Sequence, residues 1–243
     1  MRKILEKSLP PFLTEAWDAA RQKRRRYFGL NDLDAKLEKY LDFDNGYFVE
    51  LGANNGISQS NTLYFERYRD WHGVLIEPVL HNYFQCKANR SEATRVFCNA
   101  CTSFEYRDEF VPIVYSNLMS TPIGVESDIA DPLTHARVGR NFLDEAHDNV
   151  VFGAKARTLN SILVEAGAPA VIDLLSLDVE GGEIEVLKGI DHGTYRFRHM
   201  CIECREIGRL TAFLETHGYR LADRLSTHDY LFQPLGEPGL PEA

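Results

Sequence analysis

Short apolar runs separated by longer amphipathic stretches are the feature that most constrains this chain. The runs are "YFVEL", "GVLIE", "TRVFCNA", "VIDLLSLDVE" and "HMCIECRE". Each is too brief for a self-burying helix and is rich in strand-forming residues. Between them lie helical patterns: roughly residues 59–68, then "PVLHNYFQCKANR" with Pro78 at its start, "TLNSILVEAG" stopping at Gly167, "GGEIEVLKGI", and "IGRLTAFLETHG" stopping at Gly218. "YRLADRL" and "HDYLFQ" pair naturally as a closing hairpin. Strand–helix alternation predicts an α/β fold, a mostly parallel sheet with helices on both faces. Ligands of such sheets sit beyond the carboxyl ends of the strands. The residues to inspect are therefore Glu50 to Gly56, Glu77, Asn99 to Cys101, Asp178 to Gly182, and Glu203.

Two segments break the pattern. Residues 12–41 read mostly as helix, so 1–45 is an N-terminal helical extension and 46–243 the main domain. Between Thr102 and Arg157 the alternation fails, and 104–157 is expected to be a lid or substrate wall over the ligand edge. Tyr115, Ser116, Met119, Arg137 and Arg140 fall here as candidates to shape an acceptor site.

A net charge of −9 argues against a general phosphate-backbone binder, so no nucleic-acid partner is expected. The dense basic run Arg21 to Arg26 reads as a solvated helix face, with an anionic partner or membrane surface as the alternative. No apolar run approaches the ~20 residues of a membrane span. The N-terminus lacks the apolar region of a signal peptide, so a cytoplasmic location is expected. The pairs Cys98/Cys101 and Cys201/Cys204 have metal-site spacing, but residues three apart on a strand face opposite ways. Small buried thiols are the expectation.

The strand ends carry the chemistry. "ELGANNG" sets Glu50 before Gly52 and Gly56, whose backbone admits a ligand closely. It departs from G-x-G-x-x-G because position 54 is Asn, so it suits a pyrophosphate less than an amino-acid-bearing nucleoside. Glu77, one strand on, is placed to grip a ribose diol. "LLSLDVEGGEIEVLKG" puts Asp178 at the ligand edge near the sheet's centre, with a helix N-cap as the plainer alternative. Glu183 and Glu185 are expected only to favour the positive end of the following helix.

Together "FVELGANNGISQSNT", "GVLIEP", "NACTS", "TLNSIL" and "LLSLDVEGGEIEVLKG" resemble the FkbM family of S-adenosylmethionine-dependent methyltransferases, from about Gly46 to Gln233. Gly182 departs from the alanine more usual there. The resemblance implies a class I methyltransferase (Rossmann-like) fold with seven strands, the last antiparallel. It implies S-adenosylmethionine as cofactor and O-methylation of a small-molecule or glycan acceptor. By match to the motifs, Glu50, Gly52, Ala53, Asn54, Asn55 and Gly56 would line the methionine part. Glu77 and Pro78 would hold the ribose, and Asn99 and Ala100 would border the adenine. Ser60 and Asn61 would assist.

An acceptor hydroxyl must be oriented and relieved of its proton. Asp178 is the first candidate base and Glu203 the second, with His135 and His147 as lesser ones. Asp178 and Glu203 end neighbouring strands, an arrangement that also allows a Mg²⁺ ion. Two other readings are carried forward: an NAD-dependent oxidoreductase on a Rossmann sheet, and a catalytically silent binding protein of the same fold. A homo-oligomer is compatible with the sequence.

Overall fold

The computed structural model describes residues 26–143 and 149–236. The first strand, β1 (Tyr47–Leu51), is buried along nearly its whole length, as a central parallel strand must be. It pairs in parallel with β2 (His72–Ile76) on one side and β8 (Val171–Leu177) on the other. β3 (Arg95–Phe97) extends the sheet beyond β2. Beyond β8 come β9 (Arg196–Glu203), then β11 (Asp229–Pro234), then β10 (Tyr219–Arg224). The order is β3-β2-β1-β8-β9-β11-β10, with β11 antiparallel to both of its neighbours. The closing hairpin is thus present, and the chain has the class I methyltransferase fold.

Side chains alternate across this sheet. Val49, Leu51, Val74, Ile76, Leu175 and Leu177 face one core with α5 (Leu159–Ala166), α6 (Glu183–Leu187) and α7 (Ile207–Thr216). Phe48, Leu75 and Leu174 face the other with α1 (Leu33–Leu37) and α2 (Leu63–Tyr68). α3 (Leu80–Asn89) joins this second core through Cys86. The same alternation divides the cysteine pair: Cys201 belongs to the second core and Cys204 to the first. All five thiols are free.

Three expectations need correction. The described part of the N-terminal segment is not one long helix: a 3₁₀ turn at Leu30–Asp32 leads into α1, which is only five residues long. Phe28, Leu33, Leu37 and Leu41 pack into the second core beside Phe48. Residues 12–25, and Arg21 to Arg25 of the basic run, lie outside the described residues. The second helix starts at Leu63 and not near Gln59, because Gln59 has φ +61° and the next three residues turn to serve Glu50. The third strand stops at Phe97, and the chain leaves the sheet to form β4 (Ala100–Cys101).

β4 opens a second sheet of order β4-β7-β5-β6, with β5 (Phe110–Val114), β6 (Thr121–Pro122) and β7 (Val151–Arg157). Residues 104–157 therefore contribute three of this sheet's strands, with α4 (Pro132–Val138) between β6 and β7. Among the described residues no helix is long and apolar enough to cross a membrane.

Leu175 lies on β8, in the middle of the main sheet, and is fully buried. Leu175→Ala should lower the unfolding free energy by about 2–5 kcal/mol, read as a lower denaturant midpoint at unchanged slope.

Candidate active site

The chain runs outward from β1 to β2 and β3, then returns to the far side of β1 as β8. The strand order reverses there, and a crevice opens beyond the carboxyl ends of β1 and β8. It holds about 960 Å³ of empty space, part of it continuous with solvent. Gly52, Asn54, Ser60, Glu77, Pro78, Asn99, Ala100 and Asp178 all line it, so sequence candidates from four strand ends meet in one cavity.

Glu50 does not line this cavity, and the expectation that it faces a ligand directly is revised. Alternation puts it on the face of Phe48, toward the helices. There it accepts hydrogen bonds from Ser60 Oγ at 2.9 Å, the Asn61 amide at 2.9 Å and Thr62 Oγ1 at 2.6 Å. Arg90 Nη1 lies 3.4 Å away, and neither charged side chain is more than 5% exposed. Arg90 also reaches Glu66 at 3.1 Å and Thr62 Oγ1 at 2.9 Å. Glu50 therefore holds the Ser60–Thr62 turn in place. Asn61 is tied further to Ser176 Oγ at 3.0 Å.

The loop from Gly52 to Gly56 is fixed from within. Gly52 has φ +77°, and a Cβ there would stand 1.8 Å from the Asp178 carbonyl oxygen. Only glycine lets the two strand ends approach so closely. The Gly52 and Ala53 amides donate to the Ile76 carbonyl. The side-chain oxygen of Asn55 accepts from the Ile57 and Ser58 amides, a local turn that closes the loop. Ala53, Asn55, Gly56 and Asn61 shape this loop without lining the cavity.

Glu77 accepts from the Asn54 amide and the Val79 amide, each at 2.8 Å, which locks the second strand end to the first loop. Burial outweighs those two donors and pushes its carboxyl up to about 7. Asn99 donates through Nδ2 to the Lys155 carbonyl at 3.1 Å, joining the main sheet to the small one.

Asp178 is exposed, but only to the cleft; protein surrounds it otherwise. That desolvation, then the charges of Glu203 and Glu180, raises its proton affinity well above the usual carboxylate range. Glu180, with φ +55°, brings its carboxylate to His135 Nε2 at 2.7 Å and Arg205 Nη2 at 3.0 Å. Glu203 stands behind the cavity wall, with Arg205 Nη2 at 3.6 Å. His147 lies outside the described residues.

Several contributors were not legible in the sequence. Val111, Ile113, Pro122 and Val125 of the small-sheet segment form the wall opposite the strand ends, and Asn117 bonds Asn54 at 3.1 Å. Glu183 does more than face a helix dipole: it is buried and accepts from the Val179 and Gly181 amides, and burial pushes its carboxyl to about 8. Glu185 holds the Ser103 amide and hydroxyl at 3.0 and 2.8 Å. Of the acceptor candidates, Tyr115 lines a neighbouring groove and Ser116 is buried, bonding the Ala136 carbonyl. Arg137 and Arg140 are exposed on and just after α4 and line neither space.

Asp178, Glu180 and Glu203 offer oxygens within 4.8 Å of one another, the right donor type for Mg²⁺. Yet Arg205 already lies on two of them and His135 on one. One permanent cation already stands among the three acids, against Glu180 Oε2 and Glu203 Oε1, which tells against a metal ion at those oxygens.

Arg90→Met would leave Glu50 and Glu66 buried and uncompensated, and should cost about 3–5 kcal/mol of stability by denaturant unfolding. Glu77 and Glu183 bind a proton more tightly folded than unfolded. Their stabilisation is full below the ordinary value of 4.5 and is lost as pH rises through about 7 and about 8. Tm should fall across that window, and Glu183→Gln should flatten its upper part.

Among curated proteins none matches. Solved structures resemble the chain at low scores. The "putative RNA methyltransferase PH1948 from Pyrococcus horikoshii" has 11% identity and TM-score 0.44, over 86% of this chain and 82% of that one. The METTL16 MTase domain has 12% identity and TM-score 0.40, over 84% and 63%. The N-terminal domain of human METTL16 has 12% identity and TM-score 0.37, over 83% and 66%. Likeness at this level carries nothing about an acceptor. The family model described as "Methyltransferase FkbM domain" matches residues 50–221, from the acid of the first strand end to the closing hairpin. The match covers well over half of the chain, which therefore belongs to the FkbM methyltransferase family.

Proposed function

We propose that this methyltransferase uses S-adenosylmethionine to methylate a hydroxyl of a neutral acceptor, a sugar or a hydroxylated natural product. The observation that carries the reading is the pairing of Glu77 and Asp178 in one cavity, joined by a glycine-gated loop. S-adenosylmethionine, when bound, supplies a methyl group on a sulfonium that is already a good leaving group.

The chain's own residues do the rest. Ionised Glu77 offers a carboxylate to a ribose diol, held at the correct angle by the Asn54 and Val79 amides. Asn99 and Ala100 border the adenine against Val111 and Ile113. Gly52 and Asn54 border the methionyl end, and Glu50 acts on it at one remove, by holding the turn that follows. Asp178, its proton affinity raised, is the base that accepts the acceptor's hydroxyl proton as the oxygen attacks. Glu203 and Glu180 sustain that raised affinity.

A second observation bears on the acceptor. A groove of about 1700 Å³ of empty space shares Asn54, Ser58, Asn117 and Leu118 with the cavity. Among the described residues its lining contains no Asp, Glu, Lys or Arg, and it includes one histidine, His81. One part is amide and hydroxyl (Asn55, Ser58, Gln85), another apolar (Leu80, Leu143, Phe152). Such a surface suits a polyhydroxylated molecule with an apolar portion. Among the described residues it offers no Lys or Arg for phosphate contacts, which favours a neutral acceptor over a nucleic acid. The strand order, with antiparallel β11 inside the sheet, also departs from the dinucleotide-binding order, which weakens the oxidoreductase alternative.

Calorimetry with S-adenosylhomocysteine tests the cofactor. Binding is expected, tightening as pH rises to about 7 because diol donors prefer the ionised carboxylate, and weakening about tenfold or more in Glu77→Gln. NAD(H) binding with no response to S-adenosylhomocysteine would sink the reading. Asp178→Asn should retain that binding while methyl transfer to a panel of neutral glycosides falls about 10²–10⁴-fold. Full activity in this variant would remove Asp178 from the mechanism and leave a catalytically silent role for the cluster.

A further inference from the structure

Three carboxylates gathered at the end of a sheet repel one another, and the desolvated cleft magnifies the repulsion. Their charge must be answered by protons, by a metal ion or by a cation of the chain. Arg205 follows Glu203 by two residues, where β9 gives way to α7. Its Nη2 stands 3.0 Å from Glu180 Oε2 and 3.6 Å from Glu203 Oε1. Its backbone amide donates to Asp128 Oδ2 at 2.6 Å, and Nη1 lies 4.0 Å from Asp128 Oδ1. Asp128 also takes the Glu206 amide at 3.3 Å, so the root of Arg205 is pinned by the strap that crosses from the small sheet. From the opposite side His135 closes on Glu180 at 2.7 Å.

An ion ligated by Glu180 would sit about 2.0–2.1 Å from its oxygen if it were Mg²⁺. The guanidinium and the His135 ring already share Glu180 Oε2, and the guanidinium also faces Glu203 Oε1, so an ion would have to bind the remaining oxygens beside a fixed positive charge. Arginine keeps its charge at every working pH and presents a rigid fork of donors, so it supplies permanently what an ion supplies by binding.

We infer that Arg205 takes the place of a divalent cation in the Asp178–Glu180–Glu203 cluster, so that this chain does without a metal there. Arg205 is a positioning residue: it touches no reacting atom and acts by holding two acids around Asp178. The purpose assigned to the cluster rests on the methyltransferase reading above, but the identity of its cation does not.

The test is a Mn²⁺ titration of the full chain, followed by electron paramagnetic resonance of the free ion. Wild type should bind no Mn²⁺ at this cluster in the micromolar range, and Tm should be the same with EDTA or about 1 mM Mg²⁺. Arg205→Met keeps the stem and removes the charge. It should gain one Mn²⁺ site, at least about tenfold tighter than any wild-type binding, while Arg205→Lys should gain none. Circular dichroism and S-adenosylhomocysteine binding report whether Arg205→Met is folded. One tight Mn²⁺ in the wild type, removed by Glu203→Gln, would overturn the inference. So would a folded Arg205→Met that binds Mn²⁺ no better than wild type. If Arg205→Met does not fold, the wild-type titration alone decides. Loss of S-adenosylhomocysteine binding in the wild type would overturn the methyltransferase reading and leave the Mn²⁺ result standing.

Discussion

A carboxylate buried beneath two helices has to be answered by donors, and the way Glu50 is answered sets the geometry around the cavity. Its oxygens collect the Ser60 hydroxyl, the Asn61 amide and the Thr62 hydroxyl, with Arg90 reaching in from the far end of α3. This knot fixes where α2 begins and how the preceding loop returns to the sheet. The loop in turn carries Asn54, whose amide orients Glu77. One desolvated ion pair thus ties the first strand, two helices and the second strand end into a single rigid corner. Partners this numerous make such a pair tolerable in a core, where an isolated charge is very costly.

The far side of the crevice is organised differently. There the acids are not buried under helices but crowd the rim, and their compensation comes from the turn after β9 and from α4. Arg205 and His135 approach from two different segments. Glu126 does the same one layer out, pairing with Lys188 and Arg209. The cofactor corner is rigid because it is satisfied by hydrogen bonds within the main domain. The opposite rim is held by charge between segments, an arrangement more easily altered by salt or by an incoming ligand.

Much of this was readable in advance. The strands showed as apolar runs, and parallel order made every strand end a place to look. Glu77, Asn99 and Asp178 were found that way and do meet. Position along the strand locates Glu50 but not its direction; the period of two puts it with Phe48, on the face of the second core. Arg90 was invisible for another reason: it lies forty positions away, at the end of a helix whose packing angle no local pattern reveals. The small sheet escaped detection because β4 and β6 are two residues each and are stabilised only by distant partners. Asp128 and Arg205 likewise become neighbours only after the chain has crossed from one sheet to the other.

The second sheet has a consequence for how a protein of this kind can change. Most of what is assigned to the cofactor stands on the main sheet and its loops; Asn99, Ala100 and the wall opposite the strand ends do not. That wall and part of the adjoining groove come from one continuous insertion that leaves the main sheet after Phe97 and rejoins the alternation at Leu159. The insertion is a cassette with its own small core of Val111, Ile113 and Ala154. Beyond Asn99 and Ala100 its contents can be rebuilt without disturbing the Glu50–Glu77 corner, provided the replacement still carries an acid to pin Arg205.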